Sequence, residues 1–128
     1  MNSHTSTEYD ELMARAHKLV VQMGEHVRRQ VDDAVQSLTS GSPELINQIL
    51  RHEAVVNSLE REIDELAGQI IARRQPTAGD LRFVLAVVNI TTDLERVGDE
   101  AEKIARMAAT SAFRSNRSLK AASICTVS

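Results

Sequence analysis

Acidic side chains at helical spacing carry the clearest chemistry in this sequence. Glu53, Asn57, Glu60 and Asp64 follow one another at steps of four, three and four, and Glu95, Asp99 and Glu102 at steps of four and three. Residues so spaced share one face of a helix. Carboxylates at i and i+4 repel by about 0.2–0.5 kcal/mol per pair on an exposed helix. Glu60 has Val56, Asn57, Ile63 and Asp64 as its neighbours three and four positions away, so no base relieves it, whereas Asp99 has Arg96 and Lys103. A divalent or trivalent cation bridging two such pairs removes the repulsion, because hard cations take oxygen ligands and an i, i+4 pair aims two carboxylates at one point. The candidate metal ligands are Glu60, Asp64, Glu95 and Asp99, with Glu53, Asn57 and Glu102 as additional ligands or their supports. The competing reading is a solvated acidic face, since ExxxD spacing arises by chance among 18 acids.

Other chemistries lack their residues. The sequence contains no Glu-x-x-His pair of the di-iron bundles, no Gly-rich phosphate loop, no HExxH and no Cys/His zinc pattern. His52 falls among apolar positions and reads as a satisfied core histidine, while His17 and His26 have no partner that spacing assigns. No catalytic residue emerges, and the expectation is a protein that is not an enzyme.

The elements that must hold these stripes are helices. A chain of 128 residues is one domain's worth, and 2 Phe, 1 Tyr, 5 Gly and 2 Pro are too few for the strands and turns of a sheet protein. Polar residues from Thr5 to Asp10 look like a helix start; Ser40-Gly41-Ser42-Pro43 ends one helix and opens another; Arg73-Arg74-Gln75-Pro76 with Thr77 and Asp80 makes the second break. Helices of about 31, 31 and 34 residues follow. Leu45, Ile49, His52, Val56, Leu59, Ile63, Leu66 and Ile70 form a heptad seam on the second, and Phe83, Val87, Ile90, Leu94, Val97, Ala101, Ile104 and Ala108 on the third. On the first, Leu12, Ala16, Leu19, Met23, Val27, Val31, Ala34 and Leu38 drift as in a stutter. Both acidic lines lie off these seams. Short loops make neighbours antiparallel, so the predicted fold is all-α, an elongated antiparallel three-helix bundle over residues 8–110. Residues 1–7 form an N-terminal tail, and 111–128 a basic, Ser-rich tail that is disordered or depends on a partner for order.

Charge and hydropathy narrow the setting. Net charge is −3; residues 53–102 hold 11 acids against 5 bases, and 103–128 hold 5 bases and no acid. Five bases on a tail without a recognition helix do not make a nucleic-acid binder. The longest uncharged stretches of the middle of the chain, Phe83 to Thr92 among them, are about half of a membrane span, so no membrane insertion is expected. The N-terminus lacks a secretory pattern and Cys125 is a single cysteine, both of which suit a reducing, cytoplasmic location.

The segment from Glu53 to Arg106 closely resembles the PhoU family of bacterial phosphate-uptake regulators. The likeness rests on N-x-x-E-x-x-x-D (Asn57, Glu60, Asp64), the RRQPTAGDLR loop (Arg73 to Arg82) and LERVGDEAEKIAR (Leu94 to Arg106), in that order, and extends over about residues 8–110. It implies a non-enzymatic cytoplasmic protein that restrains phosphate uptake and starvation signalling. The implied partners are the phosphate-sensor histidine kinase and the ATPase subunit of the phosphate ABC transporter, with homodimer formation. It further implies multinuclear metal (iron, zinc, magnesium or manganese) at E(D)xxxD motifs, which Glu60/Asp64 and Glu95/Asp99 match. The family has two tandem bundles and this sequence holds one, so the chain is expected to be a truncated form or to rebuild the pair by homodimerising. The alternative is a metal-free helical adaptor that docks partners through its exposed faces.

Overall fold

The computed structural model describes the backbone of residues 2–73 and 76–127 and the side chains of 8–73 and 76–111. Among the described residues there are three helices, α1 (Asn2–Ser40), α2 (Pro43–Ala72) and α3 (Ala78–Val127), each packed on both others. The fold class and the up-down-up order are those expected. No described helix is long and apolar enough to cross a membrane.

The breaks form where punctuation residues stand. Gly41 adopts φ 61°, and its N–H donates to the Ser37 carbonyl at 2.8 Å, closing α1 with the left-handed turn that glycine tolerates. Pro43 opens α2 as expected, but Ser42 makes no side-chain cap. Thr77 and Asp80 form the expected reciprocal cap: the Asp80 carboxylate accepts from the Thr77 N–H at 2.9 Å, and the Asp80 N–H donates to Thr77 Oγ1 at 3.0 Å. Both outer boundaries move outward. α1 begins at Asn2, and the α3 backbone runs on to Val127, because no Gly or Pro follows Gly98 to stop it. The side chains of residues 1–7 and 112–128 lie outside the described ones.

The seam of α2 packs nearly as read, burying Leu45, Ile49, Val56, Ile63, Leu66 and Ile70. Those of α1 and α3 need correction. After Val27 the buried positions of α1 are Gln30, Ala34 and Ser37, while Leu38 stays 65 % exposed. On α3 the inward residues are Val84, Val87, Thr91, Gly98, Ala101 and Ala105, and Ile90, Val97 and Ile104 face outward. The two frames share Val87 and Ala101 but take steps of four where three were read. Small residues explain the choice: Gly98, Ala101 and Ala105 let α3 approach the other helices closely, which bulky Val97 and Ile104 would prevent.

The core is consequently divided. Ala16, Leu19, Met23, Val27, Val56, Ile63, Leu66 and Val87 form one cluster. Ala34, Ile49, Ala101 and Ala105 form another. Between them along each helix lie Gln30 on α1, His52 and Glu53 on α2, and Gly98 and Asp99 on α3. The apolar core is interrupted by one polar layer.

Candidate metal centre

Both acidic lines face the groove between α2 and α3. At one level Glu53, Asp99 and Glu102 each offer a carboxylate oxygen, all within 4.8 Å of one another. Further along, Glu95 stands within hydrogen-bonding range of Glu60 and in the field of Asp99 and Asp64. The structure thus brings Glu60 and Glu95 together with Asp64 and Asp99 close by, and joins Glu53 and Glu102 to the same ladder. Asn57 lines a small cavity with Glu53, Glu95 and Asp99.

The ladder strains against its own charge. Glu95 is pushed up to about 7, first because its protonated carboxyl donates to Glu60, then by desolvation and by the charges of Glu60, Asp99 and Asp64. Glu53 is pushed up to about 6 by burial, then by Glu102 and Asp99, against a smaller opposing pull from Arg106. Burial and the neighbouring Glu60 raise Asp64 as well. Compensation from bases is thin. Arg106 pairs with Glu102 at 3.0 Å. Lys103, which spacing offered to Asp99, pairs with Glu100 at 3.3 Å instead, and among the described residues no ion pair joins Asp99 to Arg96.

Two features escaped sequence reading. His26 and His52 meet across α1 and α2 with Nδ1···Nδ1 at 2.9 Å, one ring nitrogen donating and the other accepting, so each satisfies the other. Burial and the facing His52 hold His26 below its ordinary value. Gln30 is 1 % exposed; its Nε2 donates to the Ile49 carbonyl at 3.0 Å, while its Oε1 is buried without a partner. The signals existed: Gln30 lies three positions after Val27 and four before Ala34, and Gly98 is a glycine deep inside a helix, where it marks a close approach.

The residues present fit a cation. Oxygens bound to one ion at 2.0–2.6 Å lie within about 4–5 Å of each other, the spread seen for Glu53, Asp99 and Glu102. The donors are carboxylates with the amide oxygens of Asn57 and Gln30 beside them, a hard set that favours magnesium, manganese or iron(III) over zinc. The Gln30 Oε1 is buried without a partner beside the cavity that Glu53 and Asp99 line, and a cation there would supply one.

The family profile described as the PhoU domain matches residues 20–108. A phosphate-specific transport system accessory protein PhoU homolog of Burkholderia sp is 42% identical over 105 residues, covering 82% of this chain and 45% of the relative. Phosphate-specific transport system accessory protein PhoU of Edwardsiella tarda is 39% identical over 108 residues, 84% of this chain and 44% of its own length. The protein of the same name from Escherichia coli (strain K12) is 36% identical over 108 residues, with 84% and 45% covered. The chain therefore spans under half the length of these curated relatives. No solved structure matches significantly. The matched residues run from mid-α1 through α2 to Ala108 of α3 and contain both acidic lines, so the chain belongs to the PhoU family.

Proposed function

We propose that this chain is a non-enzymatic accessory protein of phosphate transport that restrains uptake and starvation signalling by protein contact. The observation that carries this reading is the family match, supported by relatives named for the phosphate-specific transport system. In this reading it works in the cytoplasm, against the phosphate-sensor histidine kinase and the ATPase subunit of the phosphate ABC transporter. A cation on the α2–α3 ladder neutralises the repulsion among Glu60, Asp64, Glu95 and Asp99, stiffens that contact and places positive charge on an acidic surface. Self-association fits the other groove: Val35, Leu38, Val97 and Ile104 leave an apolar face between α1 and α3 that a homodimer would cover.

The test has two arms. Purified chain, dialysed against chelator and reloaded, should bind iron, manganese or magnesium, and Glu60→Ala and Asp99→Ala should lower metal content and remove the metal-dependent rise in Tm. Pull-down of the kinase and the ATPase subunit should weaken in the same variants. Metal-free protein that retains both partners after loss of all the motif acids would leave the metal-free helical adaptor as the function.

A further inference from the structure

The polar layer that splits the core is built from all the helices, and its centre is a cavity of about 20 Å³ lined by Gln30 of α1, Glu53, Val56 and Asn57 of α2, and Glu95, Gly98 and Asp99 of α3. That volume holds one small particle, a water or an ion. Gln30 is fixed there: its amide nitrogen is tied to the Ile49 carbonyl, which leaves Oε1 beside Gly98 on the cavity wall, 2.8 Å from where a side chain on Gly98 would begin. An unpaired buried amide oxygen costs about 1–3 kcal/mol. Glu53 and Asp99 belong both to this wall and to the carboxylate triad with Glu102.

We infer that Gln30 is a neutral oxygen ligand for a single hard divalent cation that Glu53 and Asp99 hold in this cavity, so that the ion ties α1 to α2 and α3 rather than bridging α2 and α3 alone. The inference rests on the reading of the acidic groove as a cation site and adds what spacing along α2 and α3 could not contain, a ligand from the first helix. An amide oxygen suits the position chemically. It offers a hard donor without adding a further negative charge to a site where Glu53 and Asp99 already repel. It also explains why a polar side chain occupies a core position between Val27 and Ala34, and why α3 carries a glycine opposite it.

Mn²⁺ alone serves as the probe, titrated calorimetrically into the full chain after removal of metal, with thermal unfolding recorded with and without the ion. Gln30→Met keeps length and flexibility but removes the hard oxygen; Mn²⁺ affinity should fall at least about tenfold, the size of loss expected from a disturbed ligand shell. Gln30→Glu should destabilise the metal-free chain, since it buries a fourth carboxylate beside Glu53, Glu95 and Asp99, yet bind Mn²⁺ more tightly and show a larger metal-induced rise in Tm than the parent. A role in packing alone would lower both Tm values equally in each variant. Unchanged affinity in both Gln30 variants, with binding abolished by Glu53→Gln, would overturn the inference: the ion would sit on carboxylates and a water would fill the cavity. Absence of Mn²⁺ binding to the parent chain at millimolar concentration would overturn the inference together with the cation reading of the groove.

Discussion

The two grooves beside α3 are opposites. The one shared with α2 is lined by carboxylates pressed close enough to raise each other's proton affinity. The one shared with α1 is lined by Val31, Ala34, Val35, Leu38, Val97 and Ile104, and much of that apolar surface stays open. A single rotation of α3 produces both. Placing Gly98, Ala101 and Ala105 inward turns Ile90, Val97 and Ile104 out on one flank and sets Glu95, Asp99 and Glu102 along the other. The sequence offered a more apolar seam, of which the bundle buries Val87 and Ala101 and packs Phe83 and Leu94 against the core but leaves Ile90, Val97 and Ile104 outside. Burial of aliphatic side chains stabilises by roughly 25 cal/mol per Å², so leaving them out forgoes stability in the isolated bundle. What is gained is a close approach at the polar layer, and an apolar face is left open between α1 and α3.

The largest effect should come from testing that division directly. Ile63 is fully buried in the larger cluster and Ile104 stands on the open flank, although both were read as seam residues. Ile63→Ala should cost about 2–5 kcal/mol in denaturant unfolding through transfer and cavity terms, whereas Ile104→Ala should stay within about 0.5 kcal/mol. Similar costs for the two would show that α3 packs in the other frame and that the open flank does not exist. Val97→Asp combined with Ile104→Asp should leave the monomer's stability little changed and, if the proposed homodimer forms through this flank, abolish it in sedimentation. A double variant that still sediments as the parent does would remove this flank from any dimer.

The pattern of legibility follows from what hydropathy can encode. α2 was readable because Leu45, Ile49, Val56, Ile63, Leu66 and Ile70 stand at heptad spacing and are also its inward residues, while Leu50, Val55 and Ile71 fall outside that spacing and lie exposed. α3 was not, because its inward positions are Gly98, Ala101 and Ala105, chosen for smallness, while a search for greasy periodicity selects Ile90, Val97 and Ile104. α1 fails in the same way at Gln30 and Ser37. The stripes themselves were legible from spacing, and so was their placement off the core, but their mutual distance depends on helix rotation, which spacing along one helix cannot fix. The His26–His52 contact joins residues 26 positions apart, and only tertiary packing brings such a pair together.

A smaller effect should separate the grooves by pH. Without metal, Glu95 titrates near 7 in the folded chain, above the ordinary value of 4.5. Folding therefore favours its protonated form, and that contribution is fully present below about pH 4.5 and lost as pH rises through 7. His26 works the other way, because its lowered value makes protonation unfavourable to the fold as pH falls. Glu95→Gln isolates the acidic term: the amide keeps a donor for Glu60 and never ionises. In chelator, the variant should match the parent near pH 5 and unfold at a higher temperature near pH 8. Equal melting curves at pH 8 would mean that the ladder is open to water and imposes no repulsion. Changing Ile104 should leave this pH dependence untouched, since that flank carries no part of the ladder.

The smallest effect concerns glycines and probes the close approach on which the rotation of α3 depends. Gly68 in α2 has nothing within 4 Å of where a Cβ would stand, so Gly68→Ala should stabilise by about 0.5–1 kcal/mol through helix propensity alone. Gly98→Ala has the same propensity gain, but its Cβ would lie 2.8 Å from Gln30 Oε1 and 3.6 Å from Gln30 Cδ. The amide must move to make room. Its Nε2 then gives up the bond to the Ile49 carbonyl, a loss of about 1 kcal/mol that offsets the gain. Gly98→Ala should therefore melt close to the parent while Gly68→Ala melts a few degrees higher. If both substitutions stabilise equally, Gln30 does not rest against α3, and the inward turn of the small residues has some other cause.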